Sequence, residues 1–322
     1  MSDVRPAIAI AAWRRPDQLR QLLAVLPAEC ASAIHIGIDG PPSSTRDISG
    51  WLGTQEIARD FQQQASVPVS VRTSTVNRGA AWNVPETVTE ASLLASSVVV
   101  LEDDCRPSRA FLEWAPEMIR AYRDSPDIWA VCGSQYAPPD LMRQGHILSR
   151  HFLGWGWAVD SQRWWEIRAR LQAKPKLKPL GARMRPEDVY WYHGARRSFE
   201  GYVDAWDIPL VHALRQADAK CVLPSHNLVE NRGFGRDATH TLTPTSGMLT
   251  PASNIIPAAG PPSLEESLAV DKWLAREHFG ISPRHLVTTR ATLLIDRLGR
   301  NSRPRRPLWE ETPESTERDD PC

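Results

Sequence analysis

The chain has 322 residues, enough for one large core or two small ones. Lysine plus arginine and aspartate plus glutamate each total 38, so the formal net charge is zero, which argues against the basic footprint of a nucleic-acid binder. Five cysteines, an odd number with no CxxC pair, speak against a disulfide framework or structural zinc and for a reducing compartment.

The first 135 residues alternate short apolar runs with amphipathic stretches. Ala7–Ala12 reads as a buried strand, and Pro16 opens a helix in which Leu19, Leu22, Leu23 and Leu26 fall at helical spacing. Ile34–Asp39 is a second strand, stopped by Gly40-Pro41-Pro42. A helix is predicted over Glu56–Gln64 and a third strand over Val67–Thr73, where apolar residues alternate. The Asn77-Arg78-Gly79 turn precedes a helix over Glu86–Ala95. Ser97–Leu101 is a fourth strand and runs straight into Glu102-Asp103-Asp104. A helix over Arg109–Tyr122 and a strand over Ile128–Gly133 follow. Strands alternating with helices at this spacing predict an α/β fold with a mostly parallel, doubly wound sheet and helices on both faces. Ligands of such sheets bind beyond the carboxyl ends of the strands, where Asp39 and the acidic triplet lie.

Beyond residue 136 the pattern loosens. Phe152–Val159 reads as an aromatic strand, Ser161–Leu171 as a helix capped by its serine, and Lys174–Pro186 as a loop. Trp206–Ala217 is predicted helical, Cys221–Leu223 a brief strand, Asn227–Ser253 loop, and Leu264–His278 a helix. The polar, proline-rich residues 301–322 are expected to be disordered. Met1–Ala12 lacks the basic segment and long apolar run of a secretory signal, and no apolar stretch approaches the ~18–20 residues of a membrane helix. A cytoplasmic protein is expected, with room for peripheral membrane contact through the arginines of Arg297–Arg306.

Three adjacent acids at a strand end repel one another unless a cation sits among them. A divalent ion held by one or two carboxylates and by phosphate oxygens is one answer. A solvated acidic loop, or acids at the start of the Arg109 helix, is the other. Thirteen tryptophans, densest between Trp155 and Trp206, read mainly as core, with some flat enough to seat a sugar ring.

An apolar strand followed by Glu102-Asp103-Asp104 resembles the DxD-type motif of GT-A glycosyltransferases, in the form found in the N-acetylglucosaminyltransferase I family. The resemblance runs in order from about residue 7 to 242. Ala11-Ala12-Trp13-Arg14 is similar to that family's first strand end, where an arginine helps hold the nucleotide diphosphate. Ile38-Asp39-Gly40 resembles the second, where an aspartate reads uracil. Phe152-Leu153-Gly154-Trp155-Gly156-Trp157 resembles a segment near the donor sugar. Trp206-Asp207 resembles the Trp-Asp pair carrying the catalytic base, and Arg232–Arg236 with His240 the loop that closes over the donor. A bacterial group of hemolytic-protein-like glycosyltransferases is closer still. It carries segments similar to Gly154–Ala158, Asn227–Val229, Gly233–Gly235 and Asp237–His240.

The resemblance implies a GT-A catalytic domain over residues 1–300, with a nucleotide-sugar half to about residue 135 and an acceptor and lid half beyond it. It implies a nucleotide-diphosphate sugar donor, a uridine nucleotide being favoured, and a divalent cation, Mn2+ or else Mg2+. Asp104 would be the metal ligand, with Asp103 facing the ribose and Glu102 the donor sugar. Arg14, and on weaker ground Arg78, would add positive charge at the diphosphate, although Arg14 could equally be a solvated neighbour of Arg15. Asp39 could accept a hydrogen bond from base or ribose, or merely make an Asp-Gly turn. Asp207 would be the general base of a direct, inverting displacement, or else a first-turn or N-cap aspartate. Asp204, Glu187 and Asp188 compete for that role. Trp155 and Trp157, two apart in a predicted strand, share a side that is either core or sugar platform. Trp206 neighbours the base, and His240 would reach phosphate as the Gly233–Gly235 lid closes. The acceptor class stays open among glycan, lipid-linked, protein and small-molecule hydroxyls.

Three other functions compete with this one. A sugar nucleotidyltransferase should carry a Gly-rich loop after the first strand, where Trp13-Arg14-Arg15-Pro16 stands. A carbohydrate-binding protein of the same fold would not need the acid, arginine and aromatic set. A Rossmann dehydrogenase needs a GxGxxG after Ala7–Ala12, and none is there.

Overall fold

The computed structural model describes residues 5–142, 145–176, 185–233, 248–258 and 260–282. Strand β1 (Ala7–Ala12) is buried along its whole length, as an unbroken apolar run demands. Helix α1 (Pro16–Ala24) starts on a proline and buries Leu19, Leu22 and Leu23. It leads to β2 (Ala33–Ile38), and the 20-residue α2 (Thr45–Gln64) leads to β3 (Val69–Thr73). Helix α3 (Ala80–Ser92) returns the chain to β4 (Ser97–Glu102), which pairs with the other edge of β1. Next come β5 (Cys105–Pro107), α4 (Arg109–Ala121), β6 (Ile128–Cys132), β7 (His146–Ser149) and β8 (Trp157–Asp160). Helices α5 (Ser161–Gln172), α6 (Pro186–Phe199) and α7 (Asp207–Gln216) precede β9 (Lys220–Pro224), β10 (Val229–Asn231) and α8 (Leu264–Trp273). A π-helical turn, Leu274–His278, extends α8.

Eight strands form one sheet in the order β3-β2-β1-β4-β8-β6-β9-β7. The pairs β3–β2, β2–β1, β1–β4 and β6–β9 are parallel, whereas β8 runs antiparallel to both neighbours and β7 antiparallel to β9. Alternate residues of β1 enter opposite layers. Ile8 and Ile10 pack with Leu19 and Leu22 of α1 and Phe111 and Trp114 of α4. Ala7 and Ala9 pack with Val84 and Val88 of α3, Trp164 of α5 and Leu210 of α7. The mostly parallel α/β sheet covered on both faces is therefore as expected. A separate antiparallel pair joins β5 to β10.

Several boundaries differ from expectation for physical reasons. Helix α3 begins at Ala80, ahead of Pro85, because its first amides have a distant partner described below. Helix α2 begins eleven residues before the predicted Glu56 and contains Gly50 and Gly53, which read locally as breakers. The aromatic strand starts only at Trp157, since Gly156 adopts φ +67° and ends any extended run from Phe152. Asp160, not Ser161, caps α5, its carboxylate accepting from Gln162 N at 2.9 Å and Arg163 N at 3.3 Å. Strands β5, β7 and β10 and helix α6 were not anticipated. No described helix is long and apolar enough to cross a membrane, and the predicted tail, 301–322, lies outside the described residues.

Candidate active site

The strand order places β1 and β4 at the point where successive connections leave in opposite directions, and a crevice opens there at the carboxyl edge. The edge is registered by backbone bonds. Asp103 N donates to Ala11 O at 3.0 Å, and Asp39 N to Ala12 O at 3.1 Å. The ends of β2, β1 and β4 thus stand side by side at the floor of a cleft of about 640 Å³.

One wall is ionic. Arg15, the residue that immediately precedes α1, reaches both Asp103 (Nη2 to Oδ1, 2.5 Å) and Asp104 (Nη1 to Oδ2, 2.9 Å). Burial works against the Arg15 charge, but Asp103, Asp104 and Glu102 overcome it and hold the guanidinium protonated above its ordinary range. Glu102 is driven the other way. Burial and the charges of Asp104, Asp103 and Asp207 raise its pKa well above the usual carboxylate range, with Arg15 opposing. Burial also raises Asp103 against the pull of Arg15. The cation that three adjacent acids require is therefore, in the first instance, Arg15. Arg14 lines the same cleft, yet its guanidinium turns back over Trp13 and pairs with Asp47 of α2 at 2.5 Å.

A second pair of acids organises the loop between β3 and α3. Asp39 accepts from Gly40 N (2.8 Å), Arg78 N (3.0 Å) and Gly79 N (2.8 Å). Asp204, from the turn before α7, accepts from Ala80 N (3.1 Å) and Ala81 N (2.8 Å). Four consecutive amides, Arg78 to Ala81, are thus held by two carboxylates. Burial, partly offset by the amides of Arg78, Gly40 and Gly79, raises the Asp39 pKa, and the nearby Asp204 charge raises it further. Both Asp39 oxygens are engaged with backbone, which gives the residue a loop-forming task whatever else it contacts. Arg78 offers its amide there; its guanidinium lies 4.6 Å from the Trp82 ring centroid and is not among the cleft-lining groups.

Asp207 is the first residue of α7 and is exposed into the cleft, with Oδ1 accepting from Ile208 N at 2.9 Å. Its charge is felt by Glu102 and by Tyr190 of α6, so it stands between the ionic wall and an aromatic one. Of its competitors, Asp188 is paired with Arg215 at 2.7 Å, and Asp204 is the α3 cap. Neither Asp188 nor Glu187 lines the cleft.

The aromatic wall comprises Tyr136, Phe152, Trp155, Tyr190, Trp191 and Trp206. Trp155 packs edge-on to Tyr136 at 5.7 Å. Trp206 lines the cleft and stacks at 5.9 Å on Trp157. Trp157 itself is 1% exposed, wedged among Trp206, Phe152 and Trp164, and is a core residue that does not reach the cleft. With Gly156 between them in a left-handed conformation, Trp155 and Trp157 do not share a strand face.

The loop after β10 closes onto Asp104. Arg232 N donates to Asp104 O at 2.8 Å, and a Cβ at Gly233 would collide with Asp104 Oδ2. The lid candidate thus begins against the acidic turn, while Phe234–His240, and with them His240, lie outside the described residues.

Among the described residues, no three His, Cys, Asp or Glu side chains converge as a ready-made metal cage. Asp104 Oδ1 is nevertheless buried with no hydrogen-bond partner among the described residues, as a ligand oxygen would be, and Glu102 shares its cleft. Such a hard, all-oxygen set suits Mg2+ or Mn2+ completed by phosphate and water. Sequence reasoning overlooked Arg15, Tyr136, Tyr190, Trp191 and Asn231. None of them carried a local signal, and no residue pattern sets Arg15 apart from Arg14.

No family model and no curated protein matches the sequence. Among solved structures, a 4-diphosphocytidyl-2C-methyl-D-erythritol synthase from Anaerococcus prevotii is similar over 85% of this chain and 100% of its own, at 9% identity and a TM-score of 0.38. A likeness of that degree carries no functional inference.

Proposed function

We propose that the protein is a GT-A glycosyltransferase that moves a sugar from a nucleotide-diphosphate donor, UDP-sugar being favoured, to an acceptor hydroxyl. The observation that carries this reading is a single cleft lined by Arg14, Arg15, Glu102, Asp103, Asp104 and Asp207 at the carboxyl edge of the sheet. Guanidinium groups and a hard carboxylate site suit a diphosphate. Aromatic faces suit a sugar ring, and an exposed carboxylate between the two walls suits proton removal.

In this reading Arg15 holds the diphosphate, joined by Arg14 once that side chain leaves Asp47, while Trp155 and Trp206 wall the sugar from water. A divalent cation held by Asp104 would neutralise charge on the departing diphosphate. Asp207 takes the acceptor proton as the acceptor oxygen bonds to the anomeric carbon. The bond from that carbon to the diphosphate oxygen breaks, and its electron pair leaves with the nucleoside diphosphate. Direct displacement inverts the anomeric configuration.

Donor binding and hydrolysis, measured over UDP-, GDP- and dTDP-sugars with and without Mn2+, tests the reading. Asp104→Ala should abolish metal-dependent donor binding. Asp207→Asn should leave donor binding intact and lower kcat by about 10²–10⁴-fold. Absence of binding to any nucleotide-sugar would sink the proposal, and turnover of a nucleoside triphosphate with a sugar phosphate would replace it with nucleotidyl transfer.

A further inference from the structure

Asp104 is asked to serve two positive charges. Its Oδ2 is held by Arg15 at 2.9 Å and lies where a Cβ at Gly233 would collide, while its buried Oδ1 has no hydrogen-bond partner among the described residues. Arg15 cannot relax away cheaply in this arrangement. It bridges Asp103 as well, at 2.5 Å, and its backbone is fixed at the start of α1. Arg106 fastens that helix to the acidic turn, donating to Gln18 O at 3.0 Å, Gln18 Oε1 at 2.6 Å and Asp103 O at 3.0 Å. A divalent ion at Oδ1 would therefore share one carboxylate with a guanidinium, and like charges at that spacing repel. A diphosphate removes the conflict, because its oxygens accept both prongs of a guanidinium as well as a carboxylate does.

We propose that Arg15 and a divalent cation are alternative counter-ions of Asp104, so that cation binding at the acidic turn awaits an anion that draws Arg15 away. The proposal depends on the nucleotide-sugar reading only for the identity of that anion. Linkage makes the coupling reciprocal: whatever cation affinity the diphosphate confers, the cation returns as diphosphate affinity.

The test is Mn2+ binding by the full-length protein, followed by the loss of the free-ion electron paramagnetic resonance signal. Wild-type protein should bind Mn2+ weakly on its own, and Arg15→Met should bind it more tightly by about tenfold or more. Asp104→Asn in the Arg15→Met background should remove the gain, which fixes its location. Saturating UDP should raise Mn2+ affinity in the wild type and raise it less in Arg15→Met. Equal or weaker Mn2+ binding by an Arg15→Met protein with wild-type circular dichroism and melting would overturn the proposal. Should that variant fail to fold, Arg15→Lys replaces it. A single ammonium cannot bridge both aspartates, so a smaller gain in Mn2+ affinity is expected, and no gain overturns the proposal equally. A Mn2+ gain without any nucleotide-sugar binding would reject the transferase reading and leave the exchange of counter-ions standing.

Discussion

At Gly233 the requirement is spatial: a Cβ there would occupy the space of Asp104 Oδ2, the oxygen that Arg15 holds. Gly233→Ala should push that carboxylate aside, and displacements of about 1 Å near reacting groups can cost up to ~10²-fold in rate. The expected outcome is a fall of that order in kcat/KM for transfer, with a modest loss of stability of about 1–3 kcal/mol from overpacking. Steady-state kinetics beside a denaturant melt checks it, and unchanged kinetics would show that the acidic turn tolerates the shift. Residue identity at this site was only half legible. The acids announced themselves, because Glu102-Asp103-Asp104 follows an apolar strand. Which of two adjacent arginines serves them did not. Successive side chains around a helix start diverge, sending Arg14 to Asp47 and Arg15 to the aspartates, and no local pattern separates the two.

Among the elements, α3 shows most clearly why some boundaries escape a sequence. Gly79, the residue before it, has no side chain to cap with, and the capping carboxylate comes from Asp204, 124 positions after Ala80. That acid also benefits from the positive end of the helix dipole. Asp204→Ala leaves the Ala80 and Ala81 amides without their acceptor and should destabilise the protein by about 1–2 kcal/mol. Urea unfolding would read this directly, and Asp204→Asn, which keeps one acceptor oxygen, should recover part of it. Because Asp204 lies three residues before Asp207, the alanine variant should also disturb the proposed base, lowering kcat more than it raises KM. A pure loss of stability with untouched kcat would confine Asp204 to capping. Strands β1, β2 and β4 were legible because buried parallel strands are continuous apolar runs. Strands β5, β7 and β10, of three or four residues each, are too short for any periodicity to register.

Across the whole molecule, the doubly wound order followed from alternating strands and helices, whereas the antiparallel direction of β7 and β8 did not, since an apolar run reads the same both ways. What ties the β3–β2 edge to the cleft is a polar cluster under α3. Glu90 of α3 pairs with His35 Nε2 of β2 and Arg72 Nε of β3, each at 2.7 Å. Arg72 continues to Asn83 at 2.9 Å and Thr87 at 3.0 Å on the same helix. Burial raises the Glu90 pKa, but the hydrogen bonds from His35 and Arg72 and their charges outweigh it, and the net pKa lies below the ordinary glutamate value. For a carboxyl depressed in the folded state, the unfolded chain binds the proton first as pH falls. The Glu90 contribution is therefore complete above the ordinary glutamate pKa and is lost as pH drops through the lower folded value. Glu90→Gln should cost about 1–3 kcal/mol near neutrality, toward the low end because a third of the side chain is exposed. The difference between wild type and variant should shrink only on the acid side of about pH 4.5. Melting temperatures across pH 3 to 8 measure this, and a gap that stays constant down to the lowest pH would mean that Glu90 acts by shape rather than by charge.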